Sequence, residues 1–319
     1  MADKRFLRSS ITIGYQHNSV LPTASAGLVV EVDLTGQGGL TTIYTFNKNI
    51  TPLPTNTAAY FETSEVLRDY LTIAFNGTAT SQSLQTRLTF RMYDQYNSLG
   101  NTVETIQYDF RGVDGYSYYA QGANVIVTGT PSAISNREIF LPQNTTGKIP
   151  TFSTTGFTYN NITATQQTKT IGTDVYKINR ICEPKFTPYK ITFVNKFGAL
   201  QELWLGLLRR DKVAVKSETF KRNIITPTGG YDINQHNQAT FNVTGNDSIT
   251  LNTTFLPEEY NEVLEQLLLS EQVWILENGL SLPIVLTTKS LDKKTQSNDN
   301  LIQYTLEFKY ANNKINAIR

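Results

Sequence analysis

Short segments in which apolar and polar residues alternate recur along most of the chain, and turn residues separate them. Gln85–Tyr93 is one such segment, and similar alternation occurs at Leu28–Leu34, Thr41–Asn47, Tyr70–Phe75 and Val103–Phe110. A period of two residues places alternate side chains on opposite faces of a strand. Strands at this spacing are typical of antiparallel sandwiches and barrels. The sequence therefore predicts an all-β protein, mainly of antiparallel, sandwich-like domains.

A second β region begins at Val175 and contains one pattern with a helical period. In residues 257–270 the apolar side chains are spaced i, i+3, i+4, i+7 and i+8, at Tyr260, Val263, Leu264, Leu267 and Leu268. This spacing predicts an amphipathic helix, and we expect Leu264 and Leu267 to be buried. A helix of one or two turns is also predicted from Ser64, because serine can cap a helix.

Composition suggests where the domains end. Residues 128–173 are rich in Thr, Ser, Asn and Gln, and their main apolar clusters are Ile139–Leu141 and Phe152–Tyr159. We expect an N-terminal β-sandwich-like domain at 1–127, a connecting segment or arm at 128–173, and a C-terminal β domain with the helix at 174–319. Because both clusters look too small to form a core, the arm is predicted to become ordered on a neighbouring subunit.

Charge and cysteine content exclude several classes of function. Lys and Arg total 28, Asp and Glu total 27, and this balance argues against a nucleic-acid partner. The apolar runs are too short for a membrane span, and the first residues do not resemble a secretory signal, so we expect synthesis in the cytoplasm and no membrane partner. A single cysteine, Cys182, and two histidines, His17 and His236, offer little for a disulfide or a metal site.

The common catalytic motifs do not occur in the sequence. It contains no nucleophile elbow, phosphate-binding loop or zinc-protease helix. We therefore expect no enzyme activity, no catalytic, cofactor-binding or metal-binding residues, and no cofactor. A polysaccharide depolymerase remains a less favoured alternative, since one sequence does not show which carboxylates would pair.

Two regions are candidate interaction surfaces. The loop Gly112–Asn124 is rich in tyrosine, which suits a binding surface, although closing one end of a sandwich is the more common role of such rings. The basic cluster that begins at Arg209 suits a solvated strand face, or an electrostatic contact with a neighbouring subunit. The residues predicted to take part in such contacts are Tyr116, Tyr118, Tyr119, Phe140, Leu141, Phe157, Tyr159, Arg209 and Arg210.

Several short segments of the sequence resemble a family of structural proteins of tailed bacteriophages, especially phages of Bacteroidetes hosts. These segments are Ser64–Tyr70, Asp114–Tyr116, Gln121–Asn124, Phe193–Ala199, Lys216–Lys221, Leu256–Tyr260, Leu267–Glu271 and Leu301–Phe308. The resemblance implies a non-enzymatic subunit of the virion, in the tail, baseplate or neck. The β-domain-plus-helix plan is similar to that of ring-forming distal tail proteins.

The same resemblance implies the partners and the location. The partners would be further copies of this chain, in a homo-oligomeric ring or connector, together with other virion proteins. The chain would be made in the cytoplasm of the host bacterium. A carbohydrate- or receptor-binding module is the alternative, with Tyr116, Tyr118 and Tyr119 as its site.

Overall fold

The predicted all-β class is confirmed in the computed structural model. The structure describes residues 3–16, 26–35, 41–50, 58–94, 102–127, 132–181, 186–293 and 301–315. His17 and Cys182 lie outside these residues. Most of the strand pairs with a described register are antiparallel, and parallel pairs join β1 (Lys4–Phe6) to β7 (Thr102–Val113) and β8 (Glu138–Pro142) to β12 (Asp174–Ile181).

The chain forms two compact units that do not follow its linear order. Unit 1 consists of Met1–Ile181 and Thr192–Glu202, and unit 2 consists of Cys182–Ile191 and Leu203–Arg319. This division differs from the expected one at 127 and 173. Strand β13 (Tyr189–Val194) and strand β14 (Leu200–Leu205) each pass from one unit into the other.

Unit 1 contains a five-stranded sheet in the order β1-β7-β6-β3-β4. Its other strands are β3 (Ala26–Thr35), β4 (Thr41–Ile50) and β6 (Leu84–Asp94), and a separate pair joins β2 (Thr12–Gln16) to β5 (Ala58–Glu62). The expected short helix is present as α1 (Ser64–Asp69). The expected strand at Tyr70–Phe75 is irregular, because the backbone N–H of Leu71 bonds back to Arg68 and continues the helical turn.

Residues 132–173 differ from the expected arm. They form β8, β9 (Gly147–Ser153), β10 (Gly156–Ile162) and β11 (Thr168–Ile171), and β9 pairs with β10 as a hairpin. The Phe152–Tyr159 cluster enters a core, in which the ring centres of Phe152 and Phe157 lie 5.3 Å apart, and Leu141 of the other cluster is also buried. Distant parts of unit 1 complete that core with Phe6, Val113, Ala133 and Ala199. The apolar side chains of residues 132–173 are too few to form a core only when this segment is considered without the rest of unit 1.

The turn between β13 and β14 is held by one buried amide. Asn195 is fully buried and donates to the carbonyl oxygens of Ala133 and of the Gln201 side chain, at 2.8 and 2.9 Å. Its own side-chain oxygen accepts the backbone N–H groups of Phe197 and Ala199, each at 3.0 Å. A buried amide that makes all these bonds fixes the turn as well as its position in unit 1.

Unit 2 contains the long helix and most of a seven-stranded sheet in the order β14-β13-β18-β19-β21-β16-β15. The remaining strands are β15 (Arg209–Lys221), β16 (Gln238–Asn252), β17 (Leu256–Pro257), β18 (Val273–Glu277), β19 (Leu280–Leu286), β20 (Leu301–Ile302) and β21 (Thr305–Tyr310). Helix α2 (Asn261–Leu268) follows a 3-10 turn at Glu258–Tyr260. Leu264 and Leu267 are fully buried, as predicted, and Leu268 is half-buried.

Candidate assembly surface

A long hairpin extends unit 2 beyond the body of its sheet. Strand β15 has 13 residues and β16 has 15, and β15 is the last strand in the order of the sheet. Only Ser248–Asn252 of β16 also pair with β21. Beyond them the hairpin has two strands and continues for roughly ten residues of β15, about 33 Å at 3.3 Å per residue. Residues 211–243, called the hairpin arm from here on, are exposed almost throughout.

The register of the two strands assigns each side chain of the arm to a face. Val213 pairs with Asp247, and Lys216 pairs with Thr244. The register then shifts by one residue near Asn242, which has a positive φ of 50°. A bulge of this kind uses one extra residue and lets the alternation resume on both strands. The arm is therefore a two-faced ribbon as far as Lys221 and Gln238, beyond which residues 222–237 form its tip.

One face of the arm is aliphatic. Val213 and Val215 share it with Val243, and these side chains are 51%, 63% and 44% exposed. In the same register this face continues into Ile249 and Leu251, which are buried in unit 2. The apolar side of the sheet thus extends out of the core along the arm.

The opposite face of the arm is basic and aromatic. Lys212 and Lys216 lie on it near the base, Arg210 precedes them on the same face, and Glu218 interrupts this basic row. Farther out, Phe220 and Phe241 contact each other edge to face, with ring centres 5.6 Å apart, and remain about half exposed. Ile225, Tyr231 and Ile233 are exposed at the tip. Soluble monomers rarely expose apolar side chains in such continuity, which is typical of an interaction surface.

Ion pairs anchor the base of the arm to unit 2. Arg209 pairs with Asp211 at 2.7 Å and with Glu277, and the Tyr310 hydroxyl donates to the same Glu277 carboxylate. Burial lowers the pKa of Arg209, but the bonds from Asp211 and Glu277 outweigh it and raise that pKa overall. Burial, followed by the nearby Glu277, raises the pKa of Tyr310. Arg209 is therefore an anchoring residue, whereas the neighbouring Arg210 is exposed.

A cavity of about 470 Å³ lies beside this base. Its charged groups pair with one another, as Arg209 does with Glu277, and as Lys314 does with Asp247 at 3.2 Å. We therefore interpret the cavity as part of the anchor.

Three of the predicted interaction residues are buried in unit 1. Tyr116, Leu141 and Phe157 are 8%, 2% and 4% exposed, so they contribute to the interior rather than to a surface. Phe140 is half-buried. Tyr159 is also half-buried, and its hydroxyl accepts the backbone N–H of Leu200 at 3.1 Å. Burial raises the pKa of Tyr159 to about 12, although the bond from Leu200 lowers it.

The tyrosine loop exposes one ring fully. Tyr118 is half-buried, contacts Tyr116 edge to face and lies under the Lys196 ammonium group, 4.5 Å from its ring centre. Tyr119 is fully exposed. Most of the loop is therefore engaged within unit 1, and only Tyr119 offers an open aromatic face.

The described ranges contain neither a metal-binding cluster nor a membrane-spanning helix. There, no group of three or more His, Cys, Asp or Glu side chains could hold a metal ion. No helix in that part of the chain is long and apolar enough to cross a membrane. No protein-family model, curated protein or solved structure matches the chain.

Proposed function

We propose that this chain is a non-enzymatic structural subunit of a tailed-phage virion. It assembles with further copies of itself as a ring or connector in the tail, baseplate or neck, and the hairpin arm is its main contact. The observation that carries the proposal is the arm itself, a two-stranded ribbon with apolar side chains exposed on both faces.

The physical argument rests on the stability of such a ribbon. A two-stranded hairpin without packing on either face is marginally stable in water. Fully burying one Phe or Val side chain contributes about 1.5–3 kcal/mol. Docking of Phe220 and Phe241 on a neighbour would stabilise both the arm and the assembly. Repetition of one contact around a symmetric oligomer multiplies this gain.

The phage resemblance supports the same surface. Among the segments that resemble the phage family, Lys216–Lys221 lies in the arm. Two others lie at the two ends of α2, Leu256–Tyr260 before its first residue and Leu267–Glu271 at its last turn. The resemblance thus covers an exposed ribbon as well as buried structure.

The test compares the arm with a fully exposed aromatic residue elsewhere, Tyr119. We expect the purified protein to self-associate in analytical ultracentrifugation, and we expect several copies in each particle by quantitative mass spectrometry. Phe220→Ser with Phe241→Ser should weaken self-association at least about tenfold, which corresponds to roughly 1.4 kcal/mol. Tyr119→Ser is the control and should leave it unchanged.

Two results would contradict the proposal. One is a protein that stays monomeric at every concentration and occurs as a single copy per particle. The other is loss of glycan binding on Tyr119→Ser with no effect of the arm variant, which would favour the carbohydrate-binding alternative.

A further inference from the structure

Charge is divided unevenly along unit 2. From Asn223 to Thr288 the sequence contains no lysine or arginine. Just before this stretch, the first strand of the arm carries Lys212, Lys216 and Lys221, followed by Arg222. Within the stretch, six glutamates lie between 258 and 277, and two of them are paired, Glu265 with Lys293 and Glu277 with Arg209. The arm is thus basic along one strand, and the region of α2 is acidic.

The acidic region also exposes apolar side chains. Glu258 and Glu259 are exposed at the start of the helical segment, and Glu271 is exposed after its end. Phe255 and Leu269, which flank the same segment, are 57% and 43% exposed. Residues 255–271, called the α2 surface from here on, therefore match the arm in apolar content and oppose it in charge.

Within one chain, the arm and the α2 surface both stay exposed to solvent. Lys212 and Lys216, on the basic and aromatic face, are exposed, and so are Glu258 and Glu259. Opposite charges that remain exposed on one molecule can be paired between molecules. We propose that the basic and aromatic face of the hairpin arm docks on the α2 surface of a second copy of this chain.

This inference deepens the proposed function and rests on it, because it names the surface that receives the arm. The contact is heterologous, since a basic ribbon of one copy meets a different, acidic patch of the next. Repeated contacts of this type produce a closed ring when the rotation between copies closes, and an open filament when it does not. In a ring or a filament of this type, every copy inside the assembly uses its arm in one contact and its α2 surface in another.

The two kinds of side chain have different roles in this contact. Phe220 and Phe241, with Phe255 and Leu269 of the receiving copy, supply the apolar area. The charges set orientation and speed of association more than affinity. Solvent-exposed charges are screened beyond about 8 Å at physiological ionic strength, so they attract two copies only at short range. Added salt should therefore weaken the assembly.

The experiment is a charge swap in the full-length chain. One variant carries Lys212→Glu and Lys216→Glu, and the other carries Glu258→Lys and Glu259→Lys. Alone, each variant brings like charges together at every contact, and we expect self-association to weaken about tenfold or more. In an equimolar mixture each arm again meets an oppositely charged α2 surface. The mixture should therefore associate as strictly alternating copies, which native mass spectrometry detects as equal numbers of the two masses.

The control is Lys169→Glu with Lys289→Glu, which makes the same charge change at two lysines outside the arm and outside residues 255–271. It should associate like the unmodified chain. Restored association in the mixture also shows that both swapped variants are folded, and circular dichroism of each variant checks this independently.

The outcomes separate this inference from the proposed function. If the unmodified chain assembles and the swapped variants assemble equally well, or if the mixture does not restore assembly, the α2 surface does not receive the arm, but the subunit can still be structural. If the unmodified chain is monomeric at all concentrations and present once per particle, both proposals are wrong.

Discussion

At the scale of single residues, Gly198 shows how close packing limits side-chain choice in the Asn195 turn. Its φ is +82°, and a Cβ there would lie 2.8 Å from backbone atoms of Asp114 and Gly115. Gly279 has a similar φ of +78° but open space around it. We expect Gly279→Ala to cost about 1–2 kcal/mol from backbone strain, and Gly198→Ala to cost clearly more. Urea unfolding measures both, and equal losses would contradict the predicted backbone clash.

Tyr159 gives a prediction about pH at the same scale. Its raised pKa of about 12 exceeds the value of 10 for an ordinary tyrosine, so folding favours the neutral phenol. The resulting stabilisation is complete below pH 10 and is lost as pH rises through about 12. We expect Tyr159→Phe to lower stability at pH 8 by about 1–3 kcal/mol, because the Leu200 N–H loses its acceptor. Between pH 10 and 12 its unfolding free energy should fall less than that of the unmodified chain. Tyr119→Phe, at a fully exposed ring, should have the same free energy of unfolding as the unmodified chain at pH 8 and between pH 10 and 12.

At the scale of elements, the apolar face of α2 is a core surface. Leu267 is fully buried, whereas Leu269, at the end of the same helix, is 43% exposed. Leu267→Ala should therefore cost about 2–5 kcal/mol in urea unfolding. Leu269→Ala should change stability by less than about 0.5 kcal/mol. If the two substitutions have the same effect, the burial of this face is wrong.

The hairpin arm and residues 132–173 are also predicted to differ as elements. In the isolated subunit, trypsin should cut the exposed arm first, near Lys221 and Arg222. Assembled particles should protect these sites. Residues 132–173 carry buried core side chains such as Ile149 and Ile162, so they should resist cleavage in both states. Early cleavage inside 132–173 in the free subunit would instead support the arm expected there from composition.

At the scale of the whole molecule, the chain interleaves its two units. Unit 1 needs Thr192–Glu202, which supplies Asn195 and the core residue Ala199. A fragment of residues 1–181 lacks both and should fail to unfold cooperatively in urea. A fragment of residues 1–202 includes them and should unfold cooperatively. Equal stability of the two fragments would show that unit 1 ends at Ile181.

The sequence by itself determined local structure. Alternation predicted β3, β4, β6 and β7, and the helical period predicted α2 with its buried face. These elements follow from the spacing of apolar side chains within one segment. That spacing is set by residues close together in the sequence, so no long-range contact is needed to predict it. The residues of the basic cluster from Arg209 were also evident, and their exposure on a strand was one of the two interpretations that the sequence left open.

Only the tertiary structure decided which segments are interior and which protrude. Phe152 and Phe157 belong to a core because Phe6, Val113 and Ala199 reach them from distant parts of the chain. Val213 and Val215 alternate as core residues do, yet both stay more than half exposed among the described residues, because β16 leaves β21 at Ser248 and the ribbon continues alone. Alternation shows that a strand has two faces, but long-range contacts determine what each face meets. Composition therefore indicated an arm at 128–173, whereas burial and register place the exposed ribbon at 211–243.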